Sequence, residues 1–173
     1  MRFGILSDTH GVLNSDVANV LSNCDCILHA GDIGNAGVLK TLGWPGADVH
    51  AVLGNNDVRH KWPDTDHAEL ERLPESICLN LPGGKLVMEH GHRIWDTRNY
   101  HGRLRRKHPD AKLIIYGHTH VQVVDIEETP WVANPGAAGR QRTKLGPSCM
   151  VLDVKGFGEH ARWDLTPLRF TRN

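Results

Sequence analysis

Nowhere in this chain does an apolar run approach the roughly 20 residues that a membrane-spanning helix needs. The residues after Met1 enter a strand-like stretch where a secreted protein would carry a basic, apolar, cleavable leader. Cysteine is sparse. The four present, Cys24, Cys26, Cys78 and Cys149, lack the paired spacing of a zinc site and read as buried thiols, which fits a reducing, cytoplasmic setting. Net charge is missing as well: twenty basic against twenty acidic residues give zero, which argues against long nucleic acid or an anionic membrane as the main partner. There is no internal repeat and no low-complexity tract.

What is present is enough for one compact domain spanning residues 1–173, with 39% hydrophobic content to build its core. Five apolar runs recur: Phe3 to Leu6, Cys26 to Leu28, Val49 to Leu53, Leu86 to Met88 and Leu113 to Tyr116. Polar clusters follow them: Asp8-Thr9-His10, Gly31-Asp32, Gly54-Asn55-Asn56-Asp57, His90-Gly91-His92 and Gly117-His118-Thr119-His120. Continuous apolar runs of this length predict buried parallel strands, and open α/β sheets bind ligands where such strands end.

Between the runs, Ser15 is placed to cap a short helix with Val17, Val20 and Leu21 on one face, and a second helix is expected from Ala36 to Leu42. Gly43-Trp44-Pro45-Gly46 breaks the chain before the strand from Asp48 to Leu53, and these first three strands should be parallel. Val58 to Pro74 reads as a polar loop with a brief helix near Ala68 to Leu73. Ile77 to Leu81 and Lys85 to Glu89 flank Pro82-Gly83-Gly84 as a hairpin, and Asn99 to His108 reads as a basic helix stopped by Pro109. The remaining strands, Leu113 to Tyr116, Val121 to Ile126, Trp131 to Ala133, Ser148 to Val154 and His160 to Leu165, are expected to form a second sheet.

The polar clusters combine carboxylate, imidazole and amide oxygen with no thiolate. That donor set suits Mn²⁺, Fe²⁺, Ni²⁺ or Zn²⁺. Two such ions bridged by one carboxylate can clamp a phosphate and activate a water near neutral pH. Asp32, set apart from the paired motifs, is the candidate bridge.

In order and spelling, D-x-H, G-D, G-N-x-D, a lone H and G-H-x-H, these motifs resemble the calcineurin-like metallophosphoesterase family from Phe3 to about Gly139. They are most similar to its small single-domain bacterial and archaeal phosphodiesterases, because Asn134-Pro135-Gly136 follows the last histidine pair. The resemblance implies two packed mixed β-sheets flanked by helices, an αββα sandwich. It also implies two divalent ions, with Mn²⁺ the first choice: Asp8, His10 and His120 on the first, Asn55, His90 and His118 on the second, and Asp32 bridging them. Asp32, Asn55, Asp57, His90 and His118 are the expected catalytic residues, with Asp57 either supporting Asn55 and its turn or serving as acid or base.

The family's frequent Asp-His dyad, which protonates the leaving oxygen, is replaced here by Asn35 and Asn56, and an amide is no general acid near pH 7. About 10²–10⁴-fold of rate must then be missing or come from elsewhere. The expected activity is hydrolysis of a small phosphodiester by metal-activated hydroxide. A phosphomonoesterase acting on nucleotides or small phosphate esters is the alternative, and a non-catalytic protein-binding scaffold of the same fold is the alternative from another class. Assembly into a homo-oligomer is left open.

His29 and His92 adjoin ligand positions and are either hydrogen-bond partners of ligands or packing residues. His50, His60, His67, His101, His108 and His160 are assigned to surface or packing. The run Arg103, Arg105, Arg106 and Lys107 reads as a solvated helix face. Arg140 and Arg142 follow a small-residue loop and fit either a phosphate fork or a subunit contact.

Overall fold

The computed structural model describes residues 1–43, 46–94, 97–139 and 145–171. β1 (Arg2–Leu6), β2 (Cys26–His29) and β3 (Asp48–Ala51) run parallel and alternate with α1 (Ser15–Leu21) and α2 (Ala36–Leu42). After a short 3₁₀ turn and α3 (His67–Leu70), the hairpin of β4 (Ser76–Leu81) and β5 (Gly84–Glu89) opens a second sheet. α4 (Tyr100–Lys107), β6 (Leu113–Ile115), β7 (Gln122–Asp125), β8 (Trp131–Pro135), β9 (Ser148–Lys155) and β10 (Arg162–Arg169) complete the order.

The sheets read β10-β9-β1-β2-β3 and β4-β5-β6-β8-β7, both mixed. They pack face to face over Phe3, Ile5, Leu28, Leu86, Met88, Leu113, Ile115, Met150 and Leu152. On the outer face of the first sheet Ile27, Ala51, Cys149 and Val151 meet Val17 and Leu21 of α1 and Val38 and Leu42 of α2. α4 covers the second sheet through Leu104 against Val87, Ile114 and Val132. This is the expected αββα sandwich. Gly4 is what lets α1 sit so close to β1, since a Cβ there would lie 2.5 Å from a Leu21 methyl.

Three expectations need correction. The last strands do not form the second sheet alone: β6, β7 and β8 join it, but β9 pairs antiparallel with β1, and β10 pairs with β9 in the first sheet. β9 is apolar on both faces, with Met150, Leu152 and Val154 toward the inter-sheet core and Cys149 and Val151 toward the helices, so it needs an interior position. The N-cap of α1 is Asn14, whose side-chain oxygen accepts from Asp16 N and Val17 N, and Ser15 is the first helical residue. Cys78 is exposed on edge strand β4, while Cys24, Cys26 and Cys149 are buried free thiols. Burial pushes Cys26 up to about 11 and Cys149 up to about 12, which makes both poor nucleophiles.

The basic run on α4 is only partly a solvated face. Arg105 pairs with Asp125 at 2.7 Å and Lys107 with Glu89 at 2.5 Å, fastening the helix to the second sheet. His108 also reaches Glu89, at 2.8 Å, and His101 joins Asp125 to the Tyr116 hydroxyl, so both histidines act as polar clips. Among the described residues no helix is long and apolar enough to cross a membrane.

Candidate metal centre

Every ligand-type residue lies just beyond the carboxyl end of a strand: Asp8 and His10 after β1, Asp32 after β2, Asn55 after β3, His90 after β5, and His118 and His120 after β6. These strands come from both sheets, so face-to-face packing brings the loops together. Asp8 N donates to Gly31 O at 3.0 Å, His10 N to Asp32 O at 2.9 Å and Gly11 N to Ile33 O at 2.7 Å, which continues the β1–β2 pairing into the site. Across the sheets, His118 N donates to Asp8 Oδ2 at 3.1 Å.

Among the described residues, the non-glycine positions with left-handed backbone are Asp8, His10, Asp32, His118 and His120, with φ between 47° and 67°. All belong to the ligand set. Such strain costs about 1–3 kcal/mol per residue and persists where surrounding structure enforces it for function. Gly54 lets the β3 loop approach: a Cβ there would lie 2.2 Å from both the backbone nitrogen and Oδ1 of Asp32.

Asp8, His10, Asp32 and His120 each offer a ligand atom, all within 4.8 Å of one another. His10 Nε2 lies 3.3 Å from His120 Nε2 and 3.8 Å from Asp32 Oδ2, and His120 Nε2 lies 3.1 Å from Asp8 Oδ1. Asp32 Oδ2 also faces His90 Nε2 at 3.5 Å. On that far side His118 Nδ1 and Asn55 Oδ1 are 3.0 Å apart, and the His90 and His118 rings are 5.4 Å apart. This second group is the more open of the two.

The residues fit a cation by their unsatisfied atoms. Asp8 Oδ1 and His90 Nε2 are buried without a hydrogen-bond partner, which is costly unless a cation stands beside each. Nδ1–H of His90 donates to Ala30 O at 2.7 Å, which orients the ring with Nε2 toward Asp32; burial opposes a charge on this imidazole, yet Asp32 and Asp8 raise its pKa, and a bound cation would take the place of the Nε2 proton. Burial works against the Asp32 charge, yet His90 and the two Asn56 N–H donors, at 2.8 and 2.6 Å, hold its carboxyl well below the usual range. Burial and the neighbouring His90 lower the pKa of His118, which keeps its imidazole neutral and able to ligate.

Asp57 is buried and its carboxylate accepts from Ile33 N, Gly34 N, Gly54 N and the Trp62 indole, at 2.8–3.0 Å in the shorter bonds. It ties the β2 loop to the β3 loop, and these four donors saturate the oxygens that acid or base duty would need. Asn35 caps α2 by accepting from Val38 N and donates to Gly11 O. Asn56 is committed to Asp32, with Lys61 donating to its side-chain oxygen. Sequence reasoning missed Asn134, fully buried at the end of β8, which donates to Gly117 O at 2.7 Å and Thr119 Oγ1 at 3.0 Å and so positions the last histidine loop. Its place before Pro135-Gly136 was the only signal. Arg140 and Arg142 lie outside the described residues.

His29 touches no ligand. The Thr9 hydroxyl proton goes to Ile33 O, so His29 Nε2–H donates to Thr9 Oγ1 at 2.9 Å and fixes the segment between Asp8 and His10. Full burial lowers its pKa to about 4. Below pH 6.5 the unfolded chain takes up a proton that the folded chain refuses until about pH 4, so stability falls with falling pH across that window, by roughly 3 kcal/mol. Denaturant titrations of chelator-treated protein at pH 7.5 and 4.5 should show the loss, and His29→Gln should reduce its pH dependence. An identical pH dependence in the variant would contradict the assignment.

The calcineurin-like phosphoesterase superfamily domain matches residues 1–156. A phosphodiesterase of Methanocaldococcus jannaschii is 27% identical over 164 residues, covering 90% of this chain and 94% of its own. A solved archaeal phosphodiesterase is 25% identical with a TM-score of 0.68, covering 97% of this chain and 100% of its own. Zinc-complexed Vps29 of Entamoeba histolytica, at 19% identity and a TM-score of 0.72, covers 99% of this chain and 100% of its own and shares the fold. With the family domain matched over most of its length, and its motif residues gathered at one edge of two packed sheets, the chain belongs to the calcineurin-like phosphoesterase superfamily.

Proposed function

We propose that this chain is a dinuclear metal-dependent phosphodiesterase acting on a small phosphodiester. The observation that carries this reading is the position of Asp32, whose Oδ2 lies 3.8 Å from His10 and 3.5 Å from His90, between the two ligand groups. Asp8, His10 and His120 would hold one ion, Asn55, His90 and His118 the other, and Asp32 both. Mn²⁺ is the first candidate, with Fe²⁺, Ni²⁺ and Zn²⁺ suited to the same donors. Bound ions would supply Lewis acidity toward the phosphoryl oxygens and an activated water as nucleophile.

The chain's own part is orientation. Asn56 and His90 lock the bridge, Ala30 O sets the His90 tautomer, and Asp8 Oδ2 and Asn134 hold the His118–His120 loop in register with the other ligands. No proton donor stands where the family dyad would be, since the Asn35 and Asn56 amides are both engaged elsewhere. The leaving alcohol must therefore depart largely unaided, which favours activated diesters over ordinary monoesters.

The test is turnover across a panel of matched monoesters and diesters of graded leaving-group pKa, after reconstitution with each candidate metal. A steep dependence on leaving-group pKa and preference for diesters is expected. Faster turnover of the matched monoesters would overturn the diesterase reading, and a flat dependence would show that another group, His92 foremost, supplies the proton. His92 stands beside the centre, with a buried Nδ1 that has no hydrogen-bond partner among the described residues and its ring 5.5 Å from that of His90.

A further inference from the structure

The metal ligands do not sit at the bottom of a closed pit. His118 and His120 form one wall of a cavity of about 520 Å³ that extends along β7 and the ends of β9 and β10. That volume lies within the usual range for small-molecule sites. The rest of its lining differs in character from the metal centre: Val121 and Leu145 are 53% and 65% exposed, and Arg169 stands beside them on the exposed edge strand β10.

Arg169 is held in place indirectly. Gln122 Nε2 donates to Cys149 O at 2.9 Å and Leu168 O at 3.0 Å, which fixes the amide and turns Oε1 toward the guanidinium at 3.4 Å. Among the described residues no carboxylate pairs with Arg169, so donors of its planar fork remain for an incoming anion.

We infer that this cavity receives the ester group that stays on phosphorus, and that this group combines an apolar body with an anionic end. The scissile phosphate belongs at His118 and His120. The body would lie on Val121 and Leu145, and the anion, a further phosphate or a carboxylate, would meet Arg169. This deepens the phosphodiesterase reading and rests on it. A diester with two small neutral arms would leave the cavity empty and gain nothing from Arg169.

The test uses metal-reconstituted protein and diesters that all release 4-nitrophenol, with the second ester group varied: methyl, phenyl, 4-carboxyphenyl and 4-phosphophenyl. Phenyl should exceed methyl in kcat/KM, and a charged arm should exceed phenyl by about tenfold, the size of one solvent-screened charge-assisted contact. Arg169→Gln should bring the charged-to-neutral ratio close to one, and Arg169→Glu should invert it. The carboxylate and phosphate arms then tell which anion the fork prefers. Circular dichroism controls for folding, since Arg169 is exposed. A methyl arm as good as phenyl, or a charged-to-neutral ratio unchanged in both variants, refutes the inference while leaving the diesterase intact. Absence of turnover on every diester overturns the parent reading, and this inference with it.

Discussion

Replacing Asp32 with asparagine should cut turnover by about three orders of magnitude, or roughly 4 kcal/mol of transition-state stabilisation. The carboxylate faces both ligand clusters, and its charge is what two adjacent cations would share. Asparagine also cannot keep its neighbours. Asp32 accepts from the backbone N and the side-chain Nδ2 of Asn56 through different oxygens, and an amide would turn its own NH₂ against one of these donors. Metal content, measured by elemental analysis, should fall together with activity. The fold should persist, because the inter-sheet core does not include this residue. Two ions retained per chain with undiminished turnover would remove Asp32 from the bridging position.

Exhaustive chelation should abolish turnover, and readdition of metal should restore it along with stability. At a free ion concentration a hundredfold above Kd, binding contributes about 2.7 kcal/mol, which for a domain of this size raises Tm by roughly 5–10 °C. Five residues of the ligand set occupy left-handed backbone, and the buried Asp8 Oδ1 and His90 Nε2 have no hydrogen-bond partner, a demand that bound cations would meet. Stabilisation on metal return is therefore expected even without substrate. Thermal scans during metal titration, checked by elemental analysis of the stripped protein, give the answer. Undiminished turnover by protein shown to be free of metal would sink the mechanism.

The site was more legible in the sequence than the strand partners were. A polar cluster after an apolar run is a local pattern, and local patterns survive folding: Asp8, His10, Asp32, Asn55, His90, His118 and His120 all emerge at strand ends. Pairing of β9 with β1 is not local. Met150 lies opposite Ile5, and nothing near either residue in sequence marks that partnership. Nor does a sequence show that Asp8 or His118 adopts positive φ, because neither residue type demands it. Asn14 outcompeted Ser15 for the α1 cap by one residue, within the usual uncertainty of helix ends. For Asp57 the motif allowed either support of Asn55 and its turn or acid–base duty, and its four donors add what no local pattern shows, that it ties the β2 loop to the β3 loop.

The return of β9 to the first sheet also bears on synthesis. During translation all the ligand positions have been made once residue 120 is joined, but β1 still lacks the strand that will flank it, with Phe3 waiting for Leu152 and Arg2 for Asp153. An ion captured by the nascent chain at that stage would be gripped by loops whose foundation is half built. Long-range pairing of this kind is slow, so β9 is expected to close on β1 only after every ligand position has been made.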